Sequence, residues 1–318
     1  MDQSASVFPE RGSAVYVSFV PELSAKPVEF PETDELNFMI ANSFVAADKH
    51  TTGPVCYNLR VVECTLAAVF LSRVFNLQTP VPEDSSPLGV SLRGFHDIYF
   101  QEKDGIKDNS KTSVEDFAKQ LEQLLQLTDD YLHQEDGYTR DQIAGLLGIS
   151  VDEVEKRYMS KFPVRADKFK LRQRALHVFG EAIRVNKFMG LLSTHSSSHS
   201  KDEVQALLKE LGSLMNTTQD SCRDLYECSC PELDELCDLA RSAGAYGSRL
   251  TGAGWGGCSV HLVPKGRVEN VKKNWVEKYY RKKWPDISEE RLAEAIVVSR
   301  PGSGSAVFRF SGDSAGVV

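Results

Sequence analysis

The spacing of apolar and polar positions changes period several times along the chain. Residues 14–19 concentrate β-branched and aromatic side chains, and residues 38–43 form a second, more apolar run; both predict strands. The proline-rich stretch 27–31 is expected to separate them. From Tyr57 the period becomes helical. Leu59, Val62, Leu66, Val69 and Phe70 recur on one face, Ala67 and Ala68 allow close packing, and the helix is expected to end near Asn76. Residues 78–88, with Pro80, Pro82 and Pro87, read as a loop.

The middle of the chain predicts helices almost throughout. Residues 113–133 carry Phe117, Leu121, Leu124, Leu125 and Tyr131 on one side. Residues 138–159 read as two short helices around Gly148, with Ser150 and Glu153 spaced as a capping box. A long helix is expected over 164–192, then further helices over 202–218 and 231–243. The period-2 pattern returns at 258–263, followed by a basic helix over 268–283 and short strands at 295–299 and 306–310; residues 311–318 read as a frayed tail. Strands, many helices and a closing β–α–β–β order predict an α+β fold.

Charge and composition narrow the function classes. The 37 basic and 45 acidic residues give a net charge of -8, which argues against a general nucleic-acid binder. The segment 139–158 has the spacing of a helix-turn-helix, but its second helix begins with Asp152 and Glu153, which would repel phosphates. No run of about 20 apolar residues is present and residues 1–4 do not open a signal peptide, so no membrane span and a cytoplasmic location are expected. The 7 cysteines do not read as a disulfide scaffold, and Cys222, Cys228, Cys230 and Cys237 lack the paired spacing of a zinc site. Reduced, packed thiols are the expectation, with no metal ligands assigned.

The most specific feature is the run 250–258, in which Gly252, Gly254, Gly256 and Gly257 precede a strand. Glycines at this density open backbone conformations closed to other residues, and such loops either present N–H groups to an anion or admit close backbone approach. No G-K-[ST] follows, so this is not a Walker A loop, and a loop before a strand is not a dinucleotide fingerprint. The run L-T-G-A-G-W-G-G-C resembles the third signature of the galactokinases, within the GHMP kinase superfamily. Other segments agree in order: M-D-Q-S at residues 1–4, Y-N-L-R-V-V-E at 57–63, R-A-L-H-V-F-G-E-A-I-R at 174–184, and M-N at 215–216 leading to L-Y-E-C-S-C-P-E at 225–232. The resemblance runs from residue 1 to about 310, and the wording of 226–232 and the helical insert around 135–160 resemble the fungal type.

The resemblance implies a GHMP kinase fold, with residues 1–76 the later part of the N-terminal domain and 77–318 a complete, helix-rich C-terminal domain. It implies ATP-dependent phosphorylation of galactose at C1, with Mg²⁺ bridging the phosphates. It makes Asp2 the catalytic base and a sugar contact, Gln3 and Ser4 its supports, and Tyr57 the aromatic against the sugar ring. Ala47, Asp48 and Lys49 align with a nucleotide-contacting segment in which relatives often carry Ser-Asn-Lys; the departures at Ala47 and Asp48 leave Lys49 and the backbone as contacts. Arg60 with Glu63 and Glu181 with Arg184 read as structural ion pairs, and His177 as a core histidine. The family's first two motifs would precede residue 1, so the 318 residues alone are expected to be inactive. Their early strands are also expected to lack sheet neighbours. A monomer is expected. Two alternatives share the resemblance: a galactose- and ATP-sensing paralogue that binds a transcriptional repressor, and an N-acetylgalactosamine kinase.

Overall fold

The structure is a computed structural model and describes residues 2–20, 22–46, 49–194, 200–305, 308–311 and 314–317. Helix α1 (Asp2–Val7) leads into strands β1 (Ser13–Ser18), β2 (Ser24–Glu29) and β3 (Leu36–Asn42). Then follow α2 (Lys49–Thr52), α3 (Tyr57–Val74), α4 (Leu92–Asp104), α5 (Val114–Tyr131), β4 (Tyr138–Thr139), α6 (Arg140–Leu147), α7 (Val151–Tyr158) and β5 (Lys168–Phe169). The long helices α8 (Leu171–Thr194) and α9 (Lys201–Asp224) precede α10 (Pro231–Ser242), β6 (Gly247–Leu250) and β7 (Cys258–Pro264). Helix α11 (Val268–Trp275) runs through a π-helical turn, Val276–Tyr280, into α12 (Arg281–Lys283). Helix α13 (Glu289–Ala295) and strands β8 (Ile296–Ser299), β9 (Phe308–Ser311) and β10 (Ser314–Val317) complete the described elements.

Local chemistry sets the helix ends. Ser91, Ser113, Ser150 and Ser288 each accept the N–H three residues on, satisfying donors that the first turn leaves free. The capping box expected at Ser150 is half made, because the Glu153 carboxylate turns to Arg157 instead. Full boxes form at Thr139 with Gln142 and at Ser200 with Glu203.

A four-stranded antiparallel sheet in the order β6-β7-β3-β8 carries the site. One face packs Met39, Ala41 and Val263 against Leu236, Trp275, Tyr279, Tyr280 and Leu292. Strand β6 is an edge whose outward N–H groups need partners. Helix α9 supplies them: Asn216 accepts from Ser248 N at 2.9 Å, and Gln219 accepts from Leu250 N at 2.7 Å. A separate helical core joins α3, α4, α5, α6, α7 and α8 around Leu66, Leu71, Phe95, Leu124, Ile143 and Phe169. Ile143 and Val154, the apolar anchors of the helix-turn-helix-like segment, are fully buried there.

Several expectations are corrected. Residues 27–31 do not merely separate two strands: Pro27 lies in β2, opposite Val15 in the β1–β2 hairpin. Proline is tolerated there because β2 is an edge, where a missing ladder donor costs nothing. The helix expected from 164 starts at Leu171, since Lys168–Phe169 pairs with Tyr138–Thr139. The spacing of apolar positions does not predict helix α4, strand β6 or helix α13, although Ser91 and Gly105 bracket α4 as cap residues. The tail read as frayed contains β10, paired with β9, while Ala306 and Val307 lie outside the described residues. The strand expected at 38–43 has neighbours on both sides, β7 and β8, so part of the segment expected as 1–76 completes the sheet of the segment expected as 77–318.

Three buried histidines give the fold a defined acid response. His261 sits in β7 between the Ser248 and Ser259 hydroxyls at 2.9 and 2.8 Å, His177 faces Ser221 at 2.9 Å, and His96 faces Gln120 at 2.7 Å. Burial lowers His261 to about 3 and His177 and His96 to about 4. These folded values lie below the unfolded value near 6.5, so the unfolded chain takes up protons first as the pH falls. Their contribution is complete above about pH 6.5 and declines towards pH 4. Urea unfolding at pH 5 is expected to show a loss on the order of 2 kcal/mol per histidine relative to pH 7. His261→Gln is expected to flatten that dependence, and an unchanged pH slope would exclude His261 as a contributor.

Candidate functional site

The glycine run forms a loop, residues 251–257, between β6 and β7. Its four glycines all have positive φ, between +77° and +140°, but they serve different ends. A Cβ on Gly254 would lie 2.0 Å from the Cys228 carbonyl oxygen, and one on Gly256 would lie 2.4 Å from that of Val45. These two let the loop press onto neighbouring backbone. Gly252 and Gly257 would place a Cβ in open space, so their conformation, not crowding, excludes side chains.

Two segments hold the loop. On one side, Ser43 N and Oγ both donate to the Gly257 carbonyl at 2.8 Å, and Gly257 N donates to the Val45 carbonyl at 2.9 Å. On the other, Trp255 N donates to the Cys228 carbonyl at 2.7 Å, and its indole Nε1 to the Glu227 carbonyl at 3.0 Å. Among the described residues, four non-glycines have positive φ, and three of them meet here: Phe44, Glu227 and Trp255. Each such conformation costs on the order of 1–3 kcal/mol and persists only where the surroundings over-determine it. The strain is concentrated where β3 ends, the 225–228 segment turns and the glycine loop crosses.

A buried charge network fixes the 225–228 segment. Glu63 takes Arg60 Nη1 at 2.9 Å and Arg174 Nε at 2.7 Å, and it accepts the Lys170 backbone N–H at 2.8 Å at the start of α8. Arg174 also reaches Glu227 at 2.8 Å and the Leu225 carbonyl, while Arg60 donates to the Tyr226 and Glu227 carbonyls. Lys170 completes the set on Glu227. Burial pushes the Glu227 carboxyl up, but Lys170 and Arg174 outweigh it and hold it below the ordinary value. Three cations face two carboxylates beneath the loop, and the Arg60 guanidinium lies 6.0 Å from the Trp255 ring. The sequence pointed to the Arg60–Glu63 pair. Arg174 and Glu227 gave no signal of belonging to it, because they lie 111 and 164 residues beyond Glu63.

Tyr57 is half exposed at the start of α3, one turn before Arg60 and so on the same flank of the helix as the network. Ala47 and Asp48 lie outside the described residues. Lys49, the next residue, begins α2, so the 47–49 segment is separated by one residue from the Ser43–Val45 stretch bound to the loop. Asp2 lies in α1, which the 301–305 segment flanks through Ser305 N to the Ser6 carbonyl at 2.8 Å and Gly304 N to the Pro9 carbonyl at 2.8 Å. The side chains of Asp2 and Gln3 lie outside the described residues, and none of the described contacts joins α1 to Tyr57 or the loop. The Glu181–Arg184 pair forms at 2.8 Å, joined by Thr218 and Arg249. Two clefts of about 440 and 650 Å³ flank α8 beside the β1–β2 hairpin, and neither is lined by the loop or Tyr57. All seven cysteines are free, and the described residues contain no cluster of three or more His, Cys, Asp or Glu suited to a metal ion. No helix is long and apolar enough to cross a membrane among the described residues.

Residues 204–282 match the family described as GHMP kinases C terminal. The chain is homologous to the galactokinases. It is 41% identical over 315 residues to the galactokinase of Saccharomyces cerevisiae, covering 97% of this chain and 59% of the relative. The galactokinase of Candida albicans is 39% identical over 310 residues, covering 96% of this chain and 59% of the relative. That of Schizosaccharomyces pombe is 35% identical over 316 residues, covering 98% and 60% respectively. The chain thus spans about 59% of the length of the relatives it matches.

Proposed function

We propose that this chain forms part of a galactokinase, transferring the γ-phosphoryl group of ATP to the C1 hydroxyl of galactose. The observation that carries the reading is the strained, glycine-built loop tied by hydrogen bonds to the segment leading into Lys49, in a chain homologous to galactokinases along nearly its whole length. The open flanks of Gly252 and Gly257 leave room for a phosphate-bearing ligand, to which these two residues present backbone without a side chain. Those glycines and the 47–49 segment would hold ATP, which supplies the phosphoryl group when bound. The described residues offer no cluster suited to Mg²⁺, so no residue is assigned to it and no step runs through it.

The chain's own contribution to the chemistry is then a base and a positioned loop. The Asp2 carboxylate accepts the proton of the anomeric hydroxyl, and Tyr57 offers a half-exposed ring face to the sugar. Seven free thiols suit a reducing, cytoplasmic setting.

The test uses a protein of the relatives' full length that carries these 318 residues. Asp2→Asn is expected to lower kcat roughly 10²–10⁴-fold and to leave ATP and galactose affinity nearly unchanged, because shape is kept and the base removed. A kcat within a few-fold of the parent would overturn the assignment of Asp2. Tyr57→Ala is expected to raise the galactose KM more than the ATP KM; equal effects on both would return Tyr57 to a packing role.

A further inference from the structure

The turn at Val276–Tyr280 is π-helical and places two consecutive tyrosines, both fully buried, against the end of β3. In an α-helix, consecutive side chains diverge by about 100°, so only one of the two would face a given strand. Here Tyr279 Oη donates to the Ser43 carbonyl at 2.7 Å and Tyr280 Oη donates to the Asn42 carbonyl at 2.7 Å. The rings meet edge-on at 5.0 Å. Burial pushes both phenols far up, so both remain protonated donors.

The two carbonyls they hold belong to the residues that set the loop. Ser43 is fully buried, and its N–H and hydroxyl both close on the Gly257 carbonyl at 2.8 Å. The Ser43 Oγ also accepts Val45 N at 3.2 Å, and the Val45 carbonyl receives Gly257 N at 2.9 Å. Between them Phe44 is held at φ +59°, its N–H on Asn42 Oδ1 at 2.9 Å and its ring against Tyr280 and Trp284. The phenols thus hold the Asn42 and Ser43 carbonyls, and the Ser43 hydroxyl bridges the Val45 N–H and the Gly257 carbonyl.

We propose that Tyr279, Tyr280 and Ser43 form a hydroxyl clamp that fixes the conformation of the glycine loop from below. They are positioning residues: none touches the open side of the loop. Their bearing on nucleotide binding rests on the function proposed above; the clamp itself does not.

The experiment is amide hydrogen exchange at residues 252–257 in a protein of the relatives' full length that carries these 318 residues, for the parent, Tyr279→Phe and a control, Leu292→Val. Leu292 lies in the same core, but its side chain makes none of the clamp's hydrogen bonds. Tyr279→Phe deletes one oxygen and is expected to speed exchange at Trp255 and Gly257 about tenfold, the scale of one lost buried hydrogen bond. Leu292→Val is expected to leave both amides within about twofold once exchange is corrected for each variant's global stability. Equal acceleration by the two variants, or none from Tyr279→Phe, overturns the clamp. Ser43→Ala repeats the test from the strand side if Tyr279→Phe fails to fold. Added Mg-ATP separates the two proposals. Slower loop exchange in the parent supports the nucleotide reading. No change on adding Mg-ATP, with Tyr279→Phe still loosening the loop, removes that reading and leaves the clamp standing.

Discussion

Glu63→Gln is expected to destabilise the protein by about 3–5 kcal/mol, the cost of breaking a buried ion pair by removing one partner. The reason is local. Glu63 and Arg174 are each about 1% exposed, and Arg60 is 6% exposed, so water cannot replace the lost carboxylate. The substitution leaves three cations facing the single carboxylate of Glu227, and it also weakens the acceptor of the Lys170 N–H at the start of α8. The damage should extend to the loop, because Arg60 holds the Glu227 carbonyl on which the Trp255 indole rests and Arg174 holds the Leu225 carbonyl of the same segment. Denaturant unfolding measures the loss. Arg223→Ala provides the contrast: its partners Asp220 and Asp224 are about half exposed, and screening limits such a pair to about 0–1 kcal/mol. A Glu63→Gln loss no larger than that of Arg223→Ala would show that the network is not what secures the segment.

Gly254→Val is expected to be the most damaging change in the loop. A β-branched residue at φ +87° is strongly disfavoured, and the new Cβ would overlap the Cys228 carbonyl oxygen, which already accepts the Trp255 N–H. Backbone must move, and it is the backbone that the charge network holds. A cost of roughly 3 kcal/mol or more follows, seen as a drop in Tm on the order of 5 °C or more, or as loss of soluble protein. Gly252→Ala separates the two contributions, since that glycine has φ +79° but open space around it. It should cost only about 1 kcal/mol, the conformational part alone. If both variants melt alike, close approach to Cys228 is not what the glycine at 254 provides.

The amino-acid sequence alone determined the features that depend on near neighbours. The alternation at 258–263 makes β7, the serine caps start their helices, and the glycine spacing announces a loop closed to other residues. Caps, period and φ preference act within a few residues, so a linear reading detects them. What tertiary structure decided is partner choice. Pro27 looked like a break because its edge position depends on where the sheet ends. The same limit hid β6, whose four residues become a strand through β7 and the side chains of Asn216 and Gln219. Glycines 254 and 256 are set apart from 252 and 257 by what stands opposite them, Cys228 and Val45. Glu63 meets Arg174 across 111 residues, and Tyr279 meets Ser43 across 236. Long-range pairs of this kind are fixed by burial, where an unpaired charge or carbonyl costs several kcal/mol and so must find the partner the packing supplies.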